Sequence, residues 1–356
     1  MRICYFGDGE SVHIVRFCSH FKQLGHDVHL ISFKNVKIEG ITNHYINTGN
    51  ITVSGGNWKV LLQAGKVKKL LKQIKPDIFH SIYATSYGIT GALCGFHPYF
   101  ITTLGSDVLI SPQNSKLYKL LLKYAFSKAD WIQTLAPHMS DAVLKIGSDI
   151  NKVSVIPFGI DINIFNDKCR QENTDNFIIT STRNHEEIYN IPLLINALGK
   201  IKNKIPNLKF MFTGSGSLTE KFKELIVENG LKELTTFTGR ITQAEMVKLL
   251  NETSLFVSVS FSDGNNLSLA EAMSCGCFCI GSDIPANKLW IDDNTNGFLV
   301  NTTDVNNLAE KILYANTNYN ELQQLAKNIN KSKIKNTGIW DNNMKKVEEK
   351  YFTFIN

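Results

Sequence analysis

The sequence predicts an α/β protein of two domains, each built around a parallel β-sheet. Short apolar segments alternate with amphipathic helical segments along most of the chain, which is the pattern of βαβ units. The length of 356 residues exceeds that of an ordinary single domain, and 43% hydrophobic residues suffice for two cores. A polar segment rich in Asn and Asp, residues 155–177, separates the two halves.

The predicted strands fall into two groups on either side of this polar segment. Strands of the first sheet are expected at residues 2–6, 27–32, 78–82, 99–103 and 130–134. Strands of the second sheet are expected at residues 177–181, 208–213, 255–260 and 277–281. We place the boundary near Phe165, which gives domains of residues 1–165 and 166–335. Residues 336–356 are expected to form a last helix that packs back on the first domain.

Composition limits the cellular setting and the chemistry. No uncharged apolar run of 18 residues occurs and the N-terminus enters a strand directly, so we expect a cytoplasmic protein. Seven cysteines, an odd number in a long chain, fit a reducing compartment. Cys275, Cys277 and Cys279 alternate and are predicted to share one face of a strand as small buried residues. No histidine or further cysteine pair completes a metal site there.

The formal net charge of +6 is concentrated in the first half of the chain. Residues 1–165 hold 17 Lys and Arg against 10 Asp and Glu, and many of these lysines lie on two predicted helices, 59–74 and 115–128. In the second helix Lys116, Lys119 and Lys123 share a face. Such a face is either ordinary solvated surface or a surface that rests on anionic lipid headgroups. We expect no nucleic-acid partner.

Two glycine loops follow predicted strands, at the edge where open parallel sheets bind their ligands. Gly9 lies in the loop between the first strand and a helix that begins near Val12. Gly214 and Gly216 lie in the loop before the predicted helix 218–229. Glycine lets a backbone approach a phosphate at a helix N-terminus, so the two loops suggest a nucleotide held between the domains. A glycine turn is also the ordinary connection from strand to helix, and the full dinucleotide fingerprint is missing.

Three charged residues occupy comparable positions in the second half. Arg183 follows strand 177–181, and its guanidinium suits a diphosphate oxygen, although an exposed loop arginine is the simpler alternative. Asp263 follows strand 255–260, and Glu271 lies in a helix that begins near Leu267. The turn between them exposes N–H groups at the positive end of that helix, where a pyrophosphate would bind. The two carboxylates can accept hydrogen bonds from sugar and ribose hydroxyls.

This region resembles the retaining glycosyltransferases of family 4, whose signature is two acidic residues separated by seven others, the spacing of Asp263 and Glu271. Ordered similarities cover nearly the whole chain, at residues 11–32, 75–81, 156–165, 182–198, 212–218 and 237–241. The resemblance implies the GT-B fold, in which two Rossmann-like domains face a central cleft. It also implies transfer of a sugar from a nucleotide diphosphate donor, such as UDP-GlcNAc or another UDP-hexose. The acceptor would be a glycan, lipid-linked or glycoconjugate molecule in bacterial polysaccharide biosynthesis.

The resemblance assigns roles to individual residues. Glu271 would hold the ribose hydroxyls, Asp263 the transferred sugar, and Arg183 the diphosphate. The backbone around Arg240 and Ile241 would meet the base. The remaining positions expected to line the donor are Gly9, Gly214, Gly216, Gly264, Asn265, Asn266 and Leu267.

The sequence departs from the family pattern at three places. Asp263 stands where Glu is usual, which shifts the carboxylate by about 1.5 Å, the length of one carbon–carbon bond. The lysine that many relatives carry near Tyr189 is absent, so Lys288 becomes an alternative partner for the diphosphate. Leu104 replaces a histidine of the first domain. The acceptor-side candidates are then His13, His80 and Asp107, with a purely structural role as the alternative for both histidines.

No triplet of Asp, Glu or His suggests a metal site, so we expect transfer without a metal ion or other cofactor. The family's chemistry implies retention at the anomeric carbon. Two other functions stay open at this point. One is a nucleotide-sugar epimerase or phosphorylase on the same fold, for which the extra acid–base groups or a pyridoxal lysine are not seen. The other is a catalytically silent partner subunit of an active glycosyltransferase.

Overall fold

The computed structural model describes residues 1–48, 58–170 and 176–355. It divides into two compact units, Met1–Pro157 with Lys345–Asn356, and Phe158–Met344. The sequence prediction placed its boundaries after residues 165 and 335. Residues 171–175 of the predicted polar segment lie outside the described residues. Both units are α/β structures around a parallel sheet, as the sequence predicted.

The first unit contains a seven-stranded parallel sheet with the order β3-β2-β1-β4-β5-β6-β7. Its central strands are buried on both faces, which explains why they read as continuous apolar runs. The strands are β1 Arg2–Phe6, β2 Asp27–Ser32, β3 Thr42–Tyr45, β4 Ile78–Ile82, β5 Tyr99–Thr102, β6 Trp131–Thr134 and β7 Val153–Val155.

Helices cover the faces of this sheet. They are α1 Val12–Gln23, α2 Ala64–Ile74, α3 Ile89–Ala92, α4 Ser106–Leu109, α5 Ser111–Asn114, α6 Lys116–Lys128 and α7 Pro137–Ile146. The predicted helix 59–74 is α-helical only from Ala64, because Trp58–Gln63 forms 3₁₀ turns. A π-helical turn, Ala84–Gly88, follows β4.

An aromatic cluster fills the core of the first unit. Tyr5 of β1 and His80 of β4 pack against Tyr351, which belongs to the last residues of the chain. The Tyr351 hydroxyl lies 2.6 Å from His80 Nδ1 and 3.3 Å from the Tyr5 hydroxyl. All three side chains are buried, so these hydrogen bonds satisfy polar atoms that burial would otherwise penalise. They tie the C-terminal residues to the sheet.

The second unit contains a six-stranded parallel sheet with the order β10-β9-β8-β11-β12-β13. The strands are β8 Phe177–Ser181, β9 Leu208–Thr213, β10 Thr235–Gly239, β11 Leu255–Ser258, β12 Phe278–Ser282 and β13 Gly297–Val300. The helices are α8 Ile191–Ile201, α9 Thr219–Glu228, α10 Gln243–Glu252, α11 Leu267–Ser274, α12 Pro285–Lys288, α13 Val305–Thr317 and α14 Tyr319–Thr337. The last helix, α15 Trp340–Ile355, begins in this unit and belongs to the first unit from Lys345 onward. Among the described helices, none has the length and apolar character needed to cross a membrane.

The cysteine cluster of the second unit departs in part from its prediction. Cys275, Cys277 and Cys279 are all buried, as expected. They do not share one strand face, because Cys275 ends α11 and β12 begins only at Phe278. Gly276 between helix and strand has a φ of +80°, a turn that the alternating pattern did not reveal. Burial raises the pKa of all three thiols.

Each sheet has one point at which the strand order reverses. In the first unit it lies between β1 and β4, and in the second between β8 and β11. Ligands of open parallel sheets bind beyond the carboxyl ends of the strands at such a switch point. The loops after β8 and β11 are therefore the expected position of a ligand-binding site in the second unit.

Candidate functional site

The loops after β8 and β11 bring Arg183 and Asp263 together. Arg183 Nη2 lies 2.5 Å from Asp263 Oδ2, and the two side chains are only 9% and 14% exposed. The two residues are 80 positions apart in sequence, and they meet because β8 and β11 are neighbours at the switch point. A mostly buried guanidinium needs such a partner, since an unpaired charge there would be costly.

Three further contacts hold the Arg183 guanidinium in place. Nη1 donates to Asn266 Oδ1 at 2.9 Å and approaches Ser268 Oγ at 3.5 Å. The Tyr189 ring centroid lies 4.3 Å from the central guanidinium carbon, a cation–π contact. The Nε atom is buried and has no hydrogen-bond partner among the described residues. The direction of the Arg183 guanidinium is therefore fixed, and its Nε–H remains a buried donor that could hydrogen-bond to a ligand.

Asn266 connects this arginine to the N-terminus of α11. It is the N-cap residue, and its Oδ1 accepts from the Leu269 N–H at 3.2 Å as well as from Arg183. Its amide nitrogen donates at 2.9 Å to both Ser258 Oγ and Asn287 Oδ1. The side chain thus satisfies a free N–H of the helix end and fixes the loop at the same time.

The rest of this turn presents mainly backbone. Asn265 turns its side chain toward the core, where Oδ1 accepts from Trp290 Nε1 at 3.0 Å. Gly264 is buried, and the Leu267 N–H donates to the Asn265 carbonyl at 2.8 Å. Because the macrodipole and the first N–H groups of α11 point at this turn, it carries a partial positive charge that suits an anion.

The second glycine loop packs directly on the segment that carries Arg183. A Cβ added to Gly216 would lie 2.4 Å from the His185 carbonyl oxygen, and one on Gly214 would lie 3.0 Å from that of Arg183. Gly214 also has a φ of +97°. Side chains larger than hydrogen would push the two loops apart.

Glu186 closes this contact between the two loops. Its carboxylate accepts from the Ser217 N–H at 2.8 Å and from the Ser217 hydroxyl at 2.6 Å. These hydrogen bonds from Ser217 lower the pKa of Glu186. The carboxylate is therefore ionised at neutral pH and holds the glycine loop beside the Arg183 loop.

The end of β10 contacts the same glycine loop, and the predicted positions Arg240 and Ile241 follow it in sequence. The Gly214 N–H donates to the Gly239 carbonyl at 2.8 Å, which places Arg240 and Ile241 directly beyond that contact. Arg240 is exposed. Glu271 is half-buried on α11, four residues after Leu267, so the two residues lie on the same helix face one turn apart. Lys288 forms an exposed ion pair with Asp283 at 2.6 Å.

The predicted residues of the first unit divide into loop residues and core residues. The Gly9 N–H donates to Ser32 Oγ at 3.0 Å, and an added Cβ would lie 2.5 Å from Val36. A larger residue at this position would therefore force Val36 or the loop after β1 to shift. His13 is half-buried near the start of α1.

Two of the acceptor-side candidates prove to be buried. His80 Nδ1 lies 2.6 Å from the Tyr351 hydroxyl and Nε2 lies 2.7 Å from Thr102 Oγ1. Both ring nitrogens are thus engaged inside the core, and burial lowers the pKa of His80 to about 3. The structure therefore favours the structural role for His80 and leaves it no open face for an acceptor.

Asp107 is buried as well, but it shapes a loop. Its carboxylate accepts from the backbone N–H groups of Ala84 at 2.7 Å, Gly105 at 2.8 Å and Leu104 at 3.1 Å. Burial raises the pKa of Asp107 against these hydrogen bonds, which act in the opposite direction. Asp107 thus ties the loops after β4 and β5 together, and any effect on an acceptor would pass through their backbone.

Several residues of the site escaped the sequence analysis as contributors. Tyr189 was noted only as the place of a missing lysine, yet its ring stacks on Arg183. Asn287 is fully buried and links Asn266 to Ser282, whose carbonyl accepts from it at 2.9 Å. The one sequence feature that indicated such buried polar contacts was the presence of serines inside the predicted apolar strand 255–260. Within the described ranges, no group of three potential metal ligands is found.

Comparison with known proteins connects this geometry to a family. Residues 2–134 match the family model "Glycosyl transferase 4-like", and residues 162–332 match "Glycosyl transferases group 1". The chain is a GT-B glycosyltransferase. The resemblance predicted from the acidic pair and the ordered segments is thereby confirmed.

Individual relatives agree with this assignment. This chain is 25% identical to an uncharacterized glycosyltransferase of Methanocaldococcus jannaschii. The 317 aligned residues cover 87% of this chain and 84% of the relative. The chain is 26% identical to the UDP-Gal:alpha-D-GlcNAc-diphosphoundecaprenol alpha-1,3-galactosyltransferase of Escherichia coli, over 69% of this chain and 67% of that one. The chain spans 24% to 39% of the length of three other curated relatives.

Solved structures share the fold. Anabaena HepE in complex with UDP superposes with a TM-score of 0.82 over 99% of this chain and 100% of the other, at 16% identity. At this identity the likeness concerns the fold alone. It agrees with the two parallel-sheet units described above.

Proposed function

We propose that this glycosyltransferase moves a sugar from a UDP-linked donor, such as UDP-GlcNAc or another UDP-hexose, with retention and without a metal ion. The observation that carries the proposal is the position of Arg183. It lies at the switch point of the second sheet, beside the N-terminus of α11 and the Gly214–Gly216 loop. These are three features that each favour a diphosphate.

Donor binding would exchange one partner of Arg183 for another. In this structure Asp263 occupies Nη2, while Asn266 and Tyr189 hold the rest of the guanidinium. A diphosphate would displace the Asp263 carboxylate. The Asp263 carboxylate would then accept hydrogen bonds from the hydroxyls of the sugar, the role that the family resemblance gives it.

The same residues would stabilise the leaving group. As the bond to the sugar breaks, negative charge grows on the diphosphate, and Arg183 with the N–H groups of α11 would already point at it. Because positive charge is available from the chain itself, we propose that transfer needs no metal ion. Glu271, on the same helix face as Leu267, would hold the ribose hydroxyls.

Other observations support retention, the acceptor class and the cellular setting. Retention is supported by the seven-residue spacing between Asp263 and Glu271 that the family shares. The Escherichia coli relative is named for a diphosphoundecaprenol-linked acceptor, which favours a lipid-linked acceptor among the glycan and glycoconjugate classes. The seven cysteines are free thiols, which supports a reducing, cytoplasmic compartment.

Calorimetric titration with UDP, GDP, ADP and CMP in the presence of a chelator tests the donor site. We expect selective UDP binding that weakens about tenfold or more in Glu271→Ala, because a charged hydrogen-bond acceptor for the ribose is lost. Glu224→Ala, at an exposed position of α9, is the matched control and should bind UDP as the wild type does. Failure of the folded wild type to bind any nucleotide would overturn the proposal and favour a silent partner subunit.

Turnover tests the remaining parts of the proposal. A screen of UDP-sugars with the chelator present should release UDP, and proton NMR of the product should show the anomeric configuration of the donor. Activity that appears only after a divalent metal is added would refute the metal-independent step. An inverted product would refute retention but leave the donor site intact.

A further inference from the structure

Helix α6, Lys116–Lys128, has an unusual outer face. Leu122, Ala125 and Phe126 face the core, as in any amphipathic helix. Leu117, Leu120 and Tyr124 are nevertheless 59%, 65% and 37% exposed. Their spacing of three and four residues aligns them in one stripe on the solvent side. The helix is thus apolar on both its inner and its outer face.

Lysines border this exposed stripe, and no acidic residue does so within the helix. Lys116, Lys119, Lys123 and Lys128 are exposed, and the sequence of α6 contains neither Asp nor Glu. The Lys128 ammonium lies 5.7 Å from the centroid of the Tyr124 ring. An apolar stripe with a basic border is the pattern of a helix that lies in the headgroup region of an anionic bilayer.

The other basic helix of the first unit provides the contrast. In α2 the apolar residues Val67, Leu71 and Ile74 are buried, and Lys66, Lys68, Lys69 and Lys72 make up much of the exposed surface. This is the ordinary arrangement of a solvated amphipathic helix. Positive charge alone therefore does not distinguish α6. The exposed leucines do.

We propose that the stripe Leu117–Leu120–Tyr124 of α6 inserts into the surface of an anionic membrane, with its lysines on the lipid phosphates. The lysine stems can cover apolar surface while their ammonium groups reach the headgroups, and Tyr124 suits the interface. A second copy of this face is disfavoured as the occupant, because pairing would bring two sets of four lysines together without an acid. A stripe of three side chains is also small beside a stable protein interface.

The inference rests on the proposed function in one respect, since a membrane contact would bring the enzyme to a lipid-linked acceptor. Binding to vesicles can be measured without any donor or acceptor. The full-length protein is sedimented with sucrose-loaded vesicles of phosphatidylcholine, with and without about a third of phosphatidylglycerol. We expect binding to the anionic vesicles that weakens at high salt, because surface charges are then screened.

Two variants separate the apolar from the electrostatic contribution. Leu117→Ser with Leu120→Ser should reduce binding at least about tenfold for each leucine, since both lose an apolar side chain that would enter the bilayer. Lys119→Gln with Lys123→Gln should reduce it about fivefold for each lysine, and only at low salt. Leu325→Ser, at a 50% exposed position of α14, is the matched control and should bind like the wild type.

The outcomes that overturn the inference are distinct from those that test the donor site. Equal sedimentation of the wild type and the double leucine variant would refute insertion of α6. If the wild type binds neither kind of vesicle, and replacement of the leucines shifts its elution volume in size-exclusion chromatography, the stripe is a protein interface instead. UDP titration of the same variants should match the wild type, so a change there would indicate damage to the fold.

Discussion

The ion pair between Arg183 and Asp263 makes a counterintuitive prediction about nucleotide binding. If the diphosphate must displace Asp263 from Arg183 Nη2, then Asp263→Asn should bind UDP more tightly than the wild type while transferring sugar more slowly. The reason is that the internal carboxylate competes with the ligand for one N–H group. A model in which Asp263 helps to bind the nucleotide predicts the opposite change.

The size of the effect follows from the geometry. A charge-assisted hydrogen bond contributes about 1.5–3 kcal/mol, and the 9% and 14% exposure of the two side chains leaves little solvent to screen it. Asparagine keeps an amide oxygen that can make a neutral hydrogen bond of about 0.5–1.5 kcal/mol. The competition should therefore weaken by about 1–1.5 kcal/mol, which corresponds to about five- to tenfold tighter UDP binding.

The same substitution should destabilise the ligand-free protein. Loss of about 1 kcal/mol from the second unit should lower its Tm by about 2–4 °C. Saturating UDP should then raise the Tm of the variant by more than it raises that of the wild type, because tighter binding stabilises the folded state more. The two measurements change in opposite directions, so a generally damaged fold would not reproduce the pattern.

Calorimetric titration with UDP provides the assay, and Asp292→Asn provides the control. Asp292 also pairs with a lysine, Lys333 at 2.8 Å, but it is 55% exposed and belongs to a different loop. Its substitution should leave UDP binding unchanged. Equal or weaker UDP binding by Asp263→Asn, with an unchanged control, would refute the exchange of partners at Arg183.

Three further predictions concern the surroundings of the site and the core of the first unit. Tyr189→Leu removes the ring on Arg183 and should weaken UDP binding about two- to thirtyfold in calorimetry, whereas Tyr189→Phe should not; equal losses would contradict the stacking role. Gly216→Ala should cost about 1–3 kcal/mol in thermal unfolding, because its Cβ would lie 2.4 Å from the His185 carbonyl, whereas Gly65→Ala has open space and should cost nothing. Burial lowers the pKa of His80 to about 3. Below about pH 6.5 the unfolded chain therefore binds a proton that the folded chain does not, and the free energy of unfolding decreases as the pH falls. The stability gap between the wild type and His80→Gln, measured by denaturant unfolding, should narrow by about 2 kcal/mol from pH 7 to pH 5; a constant gap would contradict the buried neutral state.

Strand prediction succeeded in the middle of each sheet and failed at its edges. The four strands that the sequence analysis missed, β3, β7, β10 and β13, are the outer strands of the two sheets. Central strands are buried on both faces and read as continuous apolar runs. The edge strand β3 is polar and has no buried residue, and β7 has only three residues, so neither shows a pattern that differs from a loop.

The residues that come together after β8 and β11 could be predicted in position but not in their pairing. Arg183, Asp263, Gly214 and Gly216 were found because each follows a strand, and the carboxyl ends of parallel strands share one edge. Which of them touch depends on the strand order, which places β11 beside β8 although three strands and 80 residues separate Asp263 from Arg183. The role of Asn287 depends on tertiary packing, and nothing in its local sequence signals it.

The two departures from the family pattern around this site can now be related to each other. The resemblance implies a lysine near Tyr189 and a glutamate at position 263, and this chain has neither. With a tyrosine ring on Arg183 in place of a second cation, the ligand-free pair of Arg183 and Asp263 is neutral, which favours burial of both side chains. Tyr189 and Asn266 hold the guanidinium from two other sides, so only the carboxylate has to move when a diphosphate arrives. An aspartate at position 263 that pairs directly with Arg183 is therefore consistent with the loss of the lysine. Arg183 is then the single cation of this pair, and it binds either the Asp263 carboxylate or the diphosphate of the sugar donor.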